Sequence, residues 1–135
     1  MAVTDDDLTA LAHQSMPFAA GLDLQIESGG PDGVVGRASW QADRCTVGGA
    51  LHGGYLMALA DSVGALCAHL NLPAGAGTST IESKTNFLGA VRSGEVRATS
   101  RLLHVGATTI VVETEVTNSD RLVAKTTQTQ IVLTG

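Results

Sequence analysis

The sequence predicts an α+β domain in which a curved antiparallel sheet wraps around one central helix. Three observations carry that prediction. From Gly53 to Ala68 the chain carries one charged residue, Asp61, among mostly apolar ones, so a helix there is apolar almost all round and must be enclosed by other elements. After residue 77 the chain alternates in strand fashion, with short Gly- or Asn-containing connections that make hairpins. A length of 135 residues suits one domain. With 44% hydrophobic and only 3% aromatic residues, the core must be built from Leu, Val, Ile and Ala.

In chain order, Thr4 followed by Asp5, Asp6 and Asp7 reads as an N-cap with acids in the first turn of a short helix, about 4–16, that stops before Pro17. Leu22, Leu24 and Ile26 alternate with polar residues, the period of a half-buried strand. Gly29-Gly30-Pro31-Asp32-Gly33 is a turn by composition, and a strand from Val34 to Trp40 returns from it. The glycine-rich run Gly48 to Gly54 leads into the long helix, whose stripe of Leu56, Ala60, Val63, Cys67 and Leu70 is widened by Leu59 and Leu66. Four strands follow: Thr78 to Leu88, Glu95 to His104, Thr108 to Thr117 and Leu122 to Leu133. The first of them places Ile81, Ser83, Thr85 and Phe87 on one face.

Composition also excludes several classes. A net charge of −5 argues against bulk nucleic-acid binding. Residues 1–83 hold two Arg and nine acids, whereas residues 84–135 hold six Lys/Arg and four acids, which leaves room for a local anion site on an acidic protein. The two cysteines, Cys45 and Cys67, lie far apart and form no CxxC, and His13, His69 and His104 share no ligand spacing, so no metal is expected. The acidic start Met1 to Asp7 lacks the pattern of a secretion signal, and no apolar run reaches spanning length, so a cytoplasmic protein without a membrane partner is expected. There is no GxSxG, P-loop or GxGxxG.

The chemistry concentrates at Leu51 to Asp61. The pair Gly53-Gly54 lets backbone N–H groups approach a ligand at a helix N-terminus, which favours negative charge. Asp61 is costly to bury in an apolar helix without a purpose. A donor turn and a lone carboxylate on one helix suggest chemistry at a carbonyl. Each has a duller reading: the glycines as a tight turn, Asp61 as an exposed or capped residue, His52 as a hydrogen-bonding partner of the backbone.

His52-Gly53-Gly54, then Leu59-Ala60-Asp61, then Asn86-Phe87-Leu88 on the next strand resemble the hotdog-fold acyl-CoA thioesterases of the phenylacetate-degradation (PaaI-like) type, from about Gly21 to Leu133. The resemblance implies that the Gly53 amide polarises a thioester carbonyl, that Gly54 lets the chain pack against the ligand, and that His52 positions the turn. It implies Asp61 as nucleophile or general base, with Thr80 assisting at the carboxylate or the water. Thr46 stands where such proteins often carry Asn. Arg92 and Gly106 are implied near the nucleotide of CoA, which is part of the substrate, and no separate cofactor is implied. Leu56, Met57 and the partner's helix are expected to line the acyl pocket.

Geometry adds an expectation. Gly53 and Asp61 are eight residues apart, roughly 12 Å along a helix, yet one carbonyl must lie within about 3 Å of both donor and attacking group. Two antiparallel helices from two subunits solve this, so a homodimer with shared sites is expected, with a homotetramer as a dimer of dimers. Two rivals remain: a hydratase or dehydratase on the same fold, and a non-catalytic acyl-CoA or acyl-carrier binding module.

Overall fold

In the computed structural model, which describes residues 4–134, one 17-residue helix packs against one face of a six-stranded antiparallel sheet. Met1 to Val3, the first residues of the acidic start, lie outside the described part. The elements are α1 (Asp5–Ser15), α2 (Pro17–Gly21), β1 (Gln25–Gly30), β2 (Gly33–Ser39), α3 (Gly53–His69), β3 (Gly77–Phe87), β4 (Glu95–Val105), β5 (Thr109–Asn118) and β6 (Arg121–Leu133). The strand order is β1-β2-β4-β5-β6-β3, which leaves β1 and β3 as edges. This is the hotdog arrangement that the apolar helix and the hairpins imply.

Local chemistry explains most boundaries. Thr4 and Asp7 form a reciprocal capping box at the start of α1. The Thr9 hydroxyl accepts from the Ile26 amide at 2.8 Å, and His13 Nε2 donates to Leu24 O at 2.6 Å, fastening α1 to the sheet. Pro17 does end α1, but it also opens α2, a second helix that the sequence did not suggest, because proline suits the first helical position. The strand expected from Leu22 begins only at Gln25: Asp23 takes a left-handed φ of 57°, and Leu22 and Leu24 are buried ahead of the ladder. The α3 stripe is enclosed as expected, with Leu59, Ala60, Val63 and Cys67 within the core. Gly36 permits the close approach of β2, since a β-carbon there would stand 2.7 Å from Val63.

β3 corrects the expected facing. A bulge between Thr80 and Glu82 leaves Ile81 without a partner on β6. The inward set becomes Thr78, Thr80, Ser83, Thr85 and Phe87, paired with Val132, Gln130, Gln128, Thr126 and Ala124, and Ile81 turns outward at 59% exposure. The bulge therefore aims Thr80 toward α3.

Candidate active site

The turn before α3 is held from several sides. Leu51 N donates to Val91 O at 2.9 Å, His52 N to Arg44 O at 2.9 Å, and Thr46 N to Ala50 O at 2.8 Å. Gly48 and Gly49 take left-handed φ values of 82° and 74°, and the Trp40 indole donates to Gly49 O at 3.0 Å. Arg44 stacks 5.0 Å from the Tyr55 ring and donates to Gly21 O and Asp23. The helix entrance is thus anchored to β3–β4 and to the N-terminal segment.

His52 is the N-cap of α3: its Nδ1 accepts from the Gly54 amide at 2.8 Å. The glycines serve this arrangement rather than unusual φ angles. A β-carbon on Gly54 would lie 2.9 Å from His52 Nδ1, and one on Gly53 would lie 3.1 Å from the Phe87 ring. With Gly54 N–H occupied, the Gly53 N–H at the first helical position has no acceptor among the described residues. It is an unpaired donor at the helix entrance.

From this turn an open groove of about 370 Å³ runs along α3, lined by Gly54, Met57, Ala58 and Asp61, with Thr80 and Ser83 opposite. These helix residues recur at three- and four-residue steps, so they form one stripe. Leu56, expected in the acyl pocket, is instead 3% exposed in the core, and Met57 lines the groove.

Asp61 is held on one oxygen. Thr80 Oγ1 donates to Asp61 Oδ1 at 2.9 Å, and Gln128 Nε2 donates to the same oxygen at 3.0 Å. Gln130 donates to Thr80 Oγ1 in turn, while Thr78 Oγ1 lies 3.1 Å from Gln130 Oε1. Oδ2 takes no hydrogen bond among the described residues and is not buried. Gln128 and Gln130 are buried in β6. Sequence reading missed them, because polar residues on a strand look like its solvent face. The available signal was Lys125 to Gln130, a strand segment with no apolar residue at all.

The remaining candidates are dispersed. Arg92 sits by the glycine turn, its Nε 3.4 Å from Gly48 O, and Arg121, unforeseen, donates to Ala90 O on the same side. Gly106 turns the β4–β5 hairpin, its amide donating to Thr109 O. Since Arg92 precedes β4 and Gly106 follows it, about 33 Å of strand separates them within one protomer. Thr46 is exposed in the turn and does not line the groove. Among the described residues no group of three His, Cys, Asp or Glu is placed to hold a metal, and no helix is long and apolar enough to cross a membrane.

This chain belongs to the thioesterase superfamily, whose family model matches residues 48–125, the span that holds the turn, Asp61, Thr80 and Arg92. A conserved protein from Pseudomonas aeruginosa is 34% identical, with a TM-score of 0.82 over 86% of this chain and 93% of its own. A thioesterase from Haemophilus influenzae is 26% identical, with a TM-score of 0.89 over 98% of this chain and 92% of its own. A Mycobacterium tuberculosis protein named provisionally as an esterase is 29% identical over 88% of both chains.

Proposed function

We propose that the protein is an acyl-CoA thioesterase of the phenylacetate-degradation type, which hydrolyses a CoA thioester to the free acid and CoA. The observation that carries this reading is Asp61: a carboxylate fixed through Oδ1 by Thr80 and Gln128, with Oδ2 left open on a groove that starts at an unpaired helix-entrance amide. The Gly53 amide takes the carbonyl oxygen and stabilises the charge that develops on it. Asp61 Oδ2 either attacks the carbonyl carbon, giving an anhydride that water opens, or takes a proton from the attacking water. The thiolate of CoA is a good leaving group and needs no strong general acid. His52 already spends Nδ1 on the Gly54 amide, which suits a positioning role and disfavours a hydratase built on a His/Asp pair.

Gly53 and Asp61 stand at opposite ends of one groove in one protomer, roughly 12 Å apart along α3. The reading therefore includes a two-fold dimer in which Gly53 of one protomer faces Asp61 of the other. The free edge of β3 and the exposed Ile81, Phe87 and Leu88 supply a surface for that pairing. A second contact, making a tetramer, would use the outer sheet surface near Leu103, Ile131 and Leu133. The site of action is proposed as the cytoplasm, with Arg92 near the CoA phosphates.

The test is free-thiol release from a panel of short, medium, long and aryl acyl-CoAs. Asp61→Asn should lower turnover by about 10²- to 10⁴-fold with binding retained. Gly53→Pro deletes the donor and suits the first helical position, because His52 already has the extended ψ of 135° that precedes proline. Gly53→Ala, which keeps the N–H and crowds the Phe87 ring in the same way, is the control for that contact. Gly53→Pro should cost about 10²- to 10³-fold. Binding without thiol release from any member of the panel would overturn the reading.

A further inference from the structure

A second cavity lies just past Asp61 and takes no part in the chemistry above. Ser15, Met16, Ala65, Leu66, His69 and Thr78 line a half-open cavity of about 120 Å³, with walls that are mostly apolar. Two of these residues continue the elements of the candidate site. Ala65 follows Asp61 by one helical turn, about 6 Å along α3. Thr78 shares the inward face of β3 with Thr80, and its hydroxyl touches Gln130, which in turn donates to Thr80. Met16 closes the far side at the corner between α1 and α2, held there because Pro17 ends one helix and begins the other.

We infer that this cavity receives the acyl group of the substrate, and that Met16 and Ala65 limit it to a short chain of about five carbons. The inference rests on the thioesterase reading. A thioester with its carbonyl at Asp61 has an apolar end and a long polar end. In the proposed dimer the partner's helix lies over the groove toward Gly54, and the apolar space left beside Asp61 is the cavity on its opposite side. Volume sets the limit. An apolar cavity of about 150 Å³ holds one benzene, about 25 Å³ per carbon, so the smaller space here holds about five. A long fatty chain would leave most of its methylenes in water.

The experiment compares the full chain with its Met16→Ala and Ala65→Leu variants on straight-chain acyl-CoAs from acetyl to decanoyl. Hydrolysis is read as thiol release, and binding by calorimetry with thioether analogues that cannot be cleaved. Each buried methylene should tighten binding about fourfold, up to about five carbons, where the series levels or falls. Met16→Ala should move that break to longer chains, and Ala65→Leu to shorter ones. A break unmoved in both variants, or affinity that climbs steadily to decanoyl in the unaltered protein, would overturn the assignment. If Ala65→Leu does not fold, Met16→Ala decides alone. A break that moves in the calorimeter without any thiol release would leave the acyl pocket standing and remove the thioesterase reading.

Discussion

The Gln128 side chain lies against Gly64 and reaches over it to donate to Asp61 Oδ1 at 3.0 Å. A β-carbon on Gly64 would fall 2.7 Å from Gln128 Cδ and inside contact distance of Oε1. Glycine within a helix costs about 1 kcal/mol relative to alanine, so its presence here has a local cause. Gly64→Ala should regain that amount and lose a hydrogen bond to a charged group, worth about 1.5–3 kcal/mol. A net destabilisation of about 1 kcal/mol is expected in urea unfolding, with turnover falling about tenfold as Asp61 loses its support. A variant more stable than the unaltered protein and equally active would show that Gln128 has no such role.

Thr80 reaches Asp61 only because the bulge at Ile81 resets the phase of β3. Thr80→Val keeps the shape and removes the donor, so turnover should fall by about tenfold, in proportion to one charge-assisted hydrogen bond. Thr80→Ser should recover most of it. Equal loss in both variants would assign Thr80 to packing alone.

The shared site makes a sharper prediction. When Asp61→Asn and Gly53→Pro chains are mixed and allowed to exchange subunits, each heterodimer has one site with both defects and one with none. Statistical pairing then restores about a quarter of the unaltered activity from two inactive parents. No recovery, despite heterodimers seen by native mass spectrometry, would place Gly53 and Asp61 of a single chain in one site.

Which parts of this were legible in the sequence follows from what each residue depends on. α3 was legible because its enclosure is written in its own composition, and Asp61 because a single charge stands out there. Pro17 was read for what it forbids, so α2 was missed, although the same ring fits a helix start. Simple alternation placed Ser83, Thr85 and Phe87 on one face of β3, as found, but kept Ile81 with them, because a bulge between Thr80 and Glu82 leaves no mark in the alternation. Gln128 and Gln130 are buried as a consequence of sheet order, with β6 seated beside β3 beneath Asp61. Gly64 is explained only once Gln128 is placed.

The two thiols should separate cleanly. Burial pushes the Cys67 thiol up to about 11, so at pH 8 only about 0.1% is thiolate, and the side chain is fully buried in α3. A disulfide reagent should leave Cys67 untouched in the native protein and modify it at the rate of unfolding. Cys45 is half-buried in the turn, where its thiol faces Gln41 O and Gly49 O. Rapid native labelling of Cys67, mapped by peptide mass, would contradict this packing of α3.

On the outer face of the sheet, Glu113 accepts from Lys125 at 2.8 Å and from Arg101 at 2.7 Å, and its carboxylate is almost covered by them. The hydrogen bond from Lys125, then that from Arg101, holds its carboxyl below the usual value of 4.5, against a smaller opposing effect of burial. A carboxyl lowered in the folded state contributes stability that is complete above the unfolded value and is lost as pH falls through the folded one. Glu113→Gln should therefore lower the urea midpoint at pH 7, and the gap to the unaltered protein should close as the pH is taken from about 4.5 downward. Both cations are partly exposed, so added salt should shrink the gap at pH 7 as well. A gap that persists unchanged at pH 3 would mean that the substitution acts through packing of the sheet rather than through the charge.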